Sequence, residues 1–452
     1  MNRKKSTISG VVLVSSALLL AACNESEENT SANENNMNQI NEENMNENDM
    51  NDGDMDHNNM NENNMNHHDM NDENMDQETN EAREDFEEEA AELPEDFNEG
   101  ANENLQTLNT KNVTRLDASS IEEMTVTAAQ TIWPATHEAN QPGAVILADA
   151  AEWQHALAAL TLVHHPNDGP LLLMEDGLTE ELISEIERLN PLGNEEGIEV
   201  LAAAELTSEE EELLEGFEVH SIYEEDPAEF AGEVENQYAE TIGELPESVI
   251  IGSMEEEHQA SSLLAGSWIA HMDESLLYVN EEIPEATAEA LEAREGEANI
   301  YLLGNEEAIS EEIAEELQEY GNVERIEGET PVELSIAFAS YQDDNFGWGI
   351  DEPGHGLVFA SPEESGMVLP GLPLAHLGKH APLIWVEEDE LEQAHADYLA
   401  QLKPSFEEVP MEGPYNHAYI LGNEDTISYQ NQGIIDQKLE IEALGDGGHG
   451  GH

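Results

Sequence analysis

Arg115 and Arg325 occupy matching settings, Asn112-Val113-Thr114-Arg115-Leu116-Asp117 and Asn322-Val323-Glu324-Arg325-Ile326-Glu327. A guanidinium can grip carboxylate or phosphate through two parallel hydrogen bonds. It is also scarce here: the 452-residue chain has 12 Lys and Arg against 104 Asp and Glu, a formal charge of -92. The two arginines are therefore candidate contacts to an acidic or phosphorylated polymer. They could equally tie neighbouring units together by pairing with local glutamates. Trp348, within Asn345-Phe346-Gly347-Trp348-Gly349, reads as loop-borne and is a candidate ring for stacking on sugar. Trp153, Trp268 and Trp385 lie in apolar runs and read as core.

The 17 histidines raise a second kind of chemistry. His57, His67 and His68 fall in a tract where Met45, Met50, Met55, Met60, Met65, Met70 and Met75 recur every five residues. Thioether suits Cu(I), and imidazole suits copper, zinc or nickel. With His449 and His452 of the glycine-rich tail, they form a candidate metal set. A surface protein that sequesters copper or zinc is thus the alternative reading; a low-complexity repeat accounts for the same tract. His376 and His380 are four apart, but Gly378 and Pro382 argue against a sustained helix there. They read as satisfied or exposed, as do His164 and His165. The sequence has no HExxH, no Gly-x-Ser-x-Gly elbow and no P-loop. We expect no catalysis and no resident cofactor, divalent cations that could bridge an anionic polymer apart.

The charge narrows the partners. Phosphate backbones need a basic surface, so nucleic acid is excluded as a natural partner. Self-repulsion of this size opposes compaction unless salt screens it. At molar ionic strength the Debye length is about 3 Å. The composition therefore fits a protein of a halophilic bacterium.

The elements that must position these residues come in threes. A first apolar strand is expected at Ala144–Ala148, Ser248–Gly252 and Gly356–Ala360. A second falls at Pro170–Leu173, Ser275–Tyr278 and Pro382–Trp385, and a third at Ile198–Ala202, Asn299–Leu303 and Ala418–Leu421. Amphipathic helices follow at 180–189, 286–293 and 391–402, and again at 208–216 and 310–320. Short, nearly all-apolar strands alternating with helices indicate parallel sheets covered on both faces. Leu302-Leu303-Gly304-Asn305 returns as Ile420-Leu421-Gly422-Asn423, each before an Ile-Ser that opens a helix. Three units follow: 112–219, 220–322 and 323–441. Residues 442–452 are a Gly/His tail. Residues 23–110, rich in Asn, Met, Glu and Asp, have little to bury and are expected to be a disordered acidic spacer, with a short helix over 81–93.

Two resemblances give these pieces a context. Residues 1–22 carry Arg3, Lys4, Lys5 and a short apolar run, and Leu20-Ala21-Ala22-Cys23 resembles the lipobox of bacterial lipoproteins. That resemblance implies cleavage before Cys23, the only cysteine, and its acylation with chains such as palmitate. Several acyl chains anchor firmly, at about 0.8 kcal/mol per buried CH2. The order Arg-(Leu/Ile)-acidic, apolar strand, small-residue helix, Pro-Leu-Leu strand, helix and Gly-ended strand is similar to the type 2 cell wall-binding repeat family. The resemblance covers about 330 residues. It implies three tandem Rossmann-like or toprim-like α/β units in a pseudo-threefold arrangement. It also implies non-covalent binding of a cell-wall glycan or peptidoglycan-associated polymer. The expected protein is a membrane lipoprotein on the extracytoplasmic face of a Gram-positive-type envelope, facing the wall, without enzymatic activity.

Overall fold

The computed structural model describes residues 82–94, 96–98, 100–101, 105–376, 380–406 and 409–444. Cys23, the leader, the methionine tract with His57, His67 and His68, and the tail with His449 and His452 lie outside them. Among the described residues no helix is long and apolar enough to cross a membrane.

Nine apolar runs form the strands expected of them. β2 (Val145–Asp149), β3 (Leu171–Met174) and β4 (Val200–Ala203) belong to the first unit. β6 (Ser248–Ser253), β7 (Ser275–Val279) and β8 (Ala298–Leu303) belong to the second, and β10 (Gly356–Ala360), β11 (Leu383–Trp385) and β13 (His417–Leu421) to the third. Nearly every side chain in them is buried, as a parallel sheet covered on both faces requires.

A tenth, eleventh and twelfth strand complete the sheets. They are β1 (Val113–Leu116), β5 (Val219–Ser221) and β9 (Gly321–Ile326), which carry the arginine motif or its remnant. The three four-stranded sheets run β3-β2-β4-β5, β7-β6-β8-β9 and β1-β13-β10-β11, all parallel, and a two-stranded sheet pairs β12 (Ser405–Phe406) with β14 (Glu442–Ala443). Sheets and sequence units are out of phase by one strand. β5 and β9 each open a unit in sequence yet finish the sheet of the unit before it. β1 does the same in a circle: it pairs with β13, Val113 opposite Ala418 and Leu116 opposite Leu421. The first strand of the chain thus closes a ring of three units.

Seven helices start where a polar side chain satisfies free N–H groups, whereas α9 (Glu285–Glu292), behind Pro284, has no such cap. Ser120 caps α2 (Ile121–Ile132), and Thr179 caps α4 (Glu180–Leu189). Thr207 and Glu210 form a capping box on α5 (Ser208–Leu213). Asp226-Pro227 opens α6 (Pro227–Ile242) and Thr330-Pro331 opens α11 (Pro331–Ser340). Ser310 and Ser428 cap α10 (Glu311–Leu317) and α13 (Tyr429–Lys438). Glutamates crowd the first turns, where the helix dipole favours them.

The small-residue segments after β2, β6 and β10 meet at the centre. They contain α3 (Trp153–Ala158), then α7 (Gln259–Leu263) with α8 (Ala265–Ile269), then the 3-10 turns Leu369–Ala375. Gly266 is the point of closest approach. A Cβ there would lie 2.4 Å from Leu372 Cδ1, 2.8 Å from Leu160 Cδ1 and 2.9 Å from Leu157 Cδ1. Side chains of the first and third units therefore converge on a glycine of the second.

α1 (82–90) answers the expected short helix, and its segment is attached to the third unit. Arg83 donates to the carbonyls of Gln401 and Lys403, and Lys438 Nζ to those of Ala90 and Glu92. Leu93 packs on the core. The spacer expected over 23–110 therefore does not run unbroken to residue 110. A few apolar side chains and two cations, Arg83 and Lys438, give its end something to bury and to bond.

Candidate functional site

In a sheet ordered 3-2-4-5, successive connections leave the first strand in opposite directions, and ligands bind beyond the carboxyl ends at that switch point. The switch points here lie between β2 and β4, β6 and β8, and β10 and β13. At the second, β8 is followed by Gly304 at φ +118°, a left-handed value that glycine adopts freely. Asn305 Oδ1 then accepts from Glu307 N at 3.0 Å and Ala308 N at 3.3 Å, and Ser310 starts α10. At the third, Gly422 sits at φ +110° and Asn423 Oδ1 accepts from Asp425 N at 2.9 Å. The first unit has Ala204-Glu205 at this place instead, and no glycine turn.

An open cleft lies beside each glycine turn. One, of about 450 Å³, is lined by His258, Ser261, Asn305, Glu307, Glu329 and Thr330 among others. The other, of about 430 Å³, is lined by Asp117, Ser119, Glu123, Asn423, Glu424 and Asp425 among others. Hydrogen bonds from the Ser119 backbone N–H and hydroxyl hold the Glu123 carboxyl below the usual carboxylate range. Both clefts are rich in acceptors and acids. They can take hydrogen bonds from sugar hydroxyls or face a hydrated divalent cation; they hold no cation to neutralise a phosphate. Asn305, Asn423, Thr330 and Glu123 were not singled out from sequence. The repeated Gly-Asn after the third strand was the available signal.

A larger cavity of about 890 Å³ lies between the 82–98 segment and α13. Phe86, Leu93, Phe97 and Ile434 line it, with Lys403. Lys403 Nζ is already matched by the Gln437 carbonyl at 2.8 Å and Glu442 at 3.1 Å. No polar group there singles it out as a binding site, so the strand-end clefts remain the better candidates.

Arg115 and Arg325 sit on the strand next to each glycine turn and reach into its carbonyls. Arg115 is only 6% exposed. Its Nη1 donates to Gly422 O at 2.9 Å and Asn423 O at 2.8 Å. Nη2 donates to Ile427 O at 2.7 Å, and Nε to Gln432 Oε1 at 2.9 Å. Burial pushes this guanidinium down, against the pull of Asp117, Glu424 and Asp389. Arg325 Nη1 donates to Gly304 O at 3.0 Å and Asn305 O at 3.2 Å, and Nη2 lies 3.5 Å from Glu311. The two arginines thus clamp the turn that forms the cleft floor. Four of the five Arg115 N–H groups are already taken by acceptors within the protein, and the side chain is buried, which sets it in the turn rather than on an open face. Its partners are backbone carbonyls rather than the glutamates expected of a purely structural arginine.

Trp348 is corrected more sharply. It is buried, stacked on His271 and edge-on to Trp268 at 5.0 Å. Glycine on both sides suggested an open loop; Phe346 and Trp348 instead fold it into the seam between the second and third units. Trp153, Trp268 and Trp385 are core, as expected. Cys23, His57, His67, His68, His449 and His452 lie outside the described residues.

No family model matches the chain, and no curated protein matches it. Its fold is similar to that of two solved structures. Cwp6 from Clostridium difficile superposes with a TM-score of 0.58 at 16% identity, over 73% of this chain and 48% of that one. Cwp8 from Clostridium difficile gives 0.56 at 18% identity, over 73% of this chain and 52% of that one. The chain therefore spans about half the length of these neighbours. At such identities the likeness is one of fold.

Proposed function

We propose that this protein is an extracytoplasmic lipoprotein, anchored through acylated Cys23, that binds cell-wall polymer non-covalently through its three units. It is non-catalytic and needs no resident cofactor. The observation that carries the reading is the closed ring of three parallel sheets, each closed by a strand from the next unit. Two Clostridium difficile cell wall proteins have a similar fold over 73% of this chain.

The clefts narrow the polymer. Every described Lys and Arg has an internal partner. Arg188 holds Glu185, and Arg294 holds Glu235. Lys111 holds Glu440, and Lys438 and Arg83 hold backbone carbonyls. Arg115 is enclosed, and Arg325 Nη2 is buried without a hydrogen-bond partner, 3.5 Å from Glu311. With no guanidinium exposed in either cleft, the ligand is a neutral glycan face, or an anionic polymer carried by bridging Mg2+ or Ca2+, which favour carboxylate oxygens. The test is retention of the soluble mature chain (Cys23→Ser) on purified sacculi in molar NaCl. Retention that survives chelator points to the neutral face, and retention lost with chelator points to bridging. A chain that stays in the supernatant under both conditions removes the reading.

A further inference from the structure

At the opposite, amino ends of the strands the three units meet through histidines. The loops leading into β3, β7 and β11 bring His164, His165 and Asp168 from the first unit, His271 and Asp273 from the second, and His376 and His380 from the third. Every pair of units is joined here through histidines, and His164 of the first also meets His376 of the third edge-on at 5.3 Å. Between first and third, His376 Nε2 lies 3.0 Å from Asp168 Oδ1, whose other oxygen is 3.1 Å from His165 Nδ1. Between first and second, His164 Nδ1 lies 2.9 Å from the Tyr238 hydroxyl and 3.1 Å from Asp273 Oδ1. Between second and third, His271 stacks flat on Trp348, 5.5 Å between centroids and 5° between planes. It also meets His380 edge-on at 4.5 Å, and His380 faces His355 at 6.3 Å.

The three contacts differ in what they offer a proton. The first two place a carboxylate beside the imidazole. The third gathers three imidazoles and an indole, and among the described residues no carboxylate forms an ion pair with His271, His355 or His380. His271 Nδ1 and Trp348 Nε1 are both buried there without a hydrogen-bond partner. Among the described residues no three donors converge as a metal ion would need. The species that can enter this cluster without rearranging it is the proton.

We propose that the junction is a proton-operated lock, in which acid charges the seam at His271 and His355 and parts the second unit from the third, while the carboxylate-paired contacts keep the first unit joined to both. The surrounding charges bear on the sign. Burial first, then His380, His376 and His164, hold His271 down to about 4. Burial and His380 push His355 down, against Asp351 and Glu352. A histidine held below its free value favours the closed seam fully above about pH 6.5, and that contribution is lost as pH falls through its closed-state value. Glu274, whose carboxylate accepts from Trp268 Nε1 at 3.1 Å, is raised to about 7 by burial. It is therefore largely neutral in the same window and supplies no counter-charge. Burial first, with His376, holds His164 down as well, against the pull of Asp273 and Asp168. Asp168 is held down, chiefly by the His376 hydrogen bond, and stays charged beside His376 and His165. Lys379, beside His380 in sequence, lies outside the described residues.

The experiment is hydrogen–deuterium exchange on the mature chain (Cys23→Ser) in molar NaCl, at about pH 8 and about pH 4.5, corrected for intrinsic rates. Exchange in 268–274 and 346–356 should rise about tenfold or more in acid. Exchange in 164–169 and around Tyr238 should change much less. The His271→Phe, His355→Phe double variant keeps aromatic packing without titrating and should lose the acid response. Three results overturn the proposal: equal protection of the wild-type seam at both pH values, equal loosening at all three contacts, or a double variant that opens in acid as the wild type does. The first two need no variant, so a misfolded double variant does not shelter the idea.

Discussion

Replacing Arg115 by Met separates a clamp from a ligand contact. The change removes four hydrogen bonds from a buried guanidinium and leaves the carbonyls of Gly422, Asn423 and Ile427, with Gln432 Oε1, without their donor. A bond to a charged group contributes about 1.5–3 kcal/mol net, and such bonds are not additive. Stripping one partner from a buried charged network costs about 3–5 kcal/mol, and we take that range. Arg115→Lys keeps a charge but only one or two of the bonds, so a smaller loss is expected. Arg325→Met should cost less than Arg115→Met, since that guanidinium bonds two carbonyls and an exposed glutamate. The assay is urea unfolding by circular dichroism in molar NaCl, with hydrogen exchange over 417–438 to localise the change. Because β1 closes the ring, loosening should appear in β13 and α13 first. An unchanged urea midpoint combined with lost binding to sacculi would refute the clamp and make Arg115 a polymer contact.

Two further changes probe the ring and the junction. Gly266→Ala places a methyl against Leu157, Leu160 and Leu372, and overpacking of this kind costs about 1–3 kcal/mol; the thermal midpoint should fall, and an unchanged midpoint would show that the centre is looser than the structure has it. Glu274→Gln should act with pH. The folded carboxyl, raised to about 7, favours folding below the unfolded value near 4.5, and that benefit is lost as pH rises through 7. For a partly exposed group the difference should be about 1–2 kcal/mol, so the variant should gain stability over wild type at about pH 8.5 and gain little at about pH 5. Equal differences at both pH values would place the Glu274 carboxylate in solvent.

Much of the fold was legible because parallel strands buried on both faces leave an unbroken apolar signature. Leu171–Met174 and Ile300–Leu303 could hardly be read otherwise. Helix α4 ends where Asn190 turns left-handed, within one residue of where the pattern stops. The sheet membership of β1 was not legible. Val113–Leu116 looks like the start of its own unit, and only the pairing with Ala418–Leu421 shows that it belongs to the last. The arginines were found by their repeat, but their role was set by the carbonyls of a turn about 300 residues away in sequence for Arg115, which residue types alone do not reveal. Trp348 misled because flanking glycines signal turns whether or not the ring between them is buried. The histidine junction was invisible for the same reason as β1. Its members are scattered from His164 to His380 and meet only when three equivalent loops are brought to one axis.

Wall binding by the ring of three units is the proposed function to be tested first. The most direct measurement is co-sedimentation of the Cys23→Ser mature chain with purified sacculi in molar NaCl, with and without chelator, beside a ring-opened control whose chain begins after Leu116. Saturable binding by the closed ring, weakened in the control, is the predicted result. Failure of the folded chain to co-sediment under either condition would contradict the account.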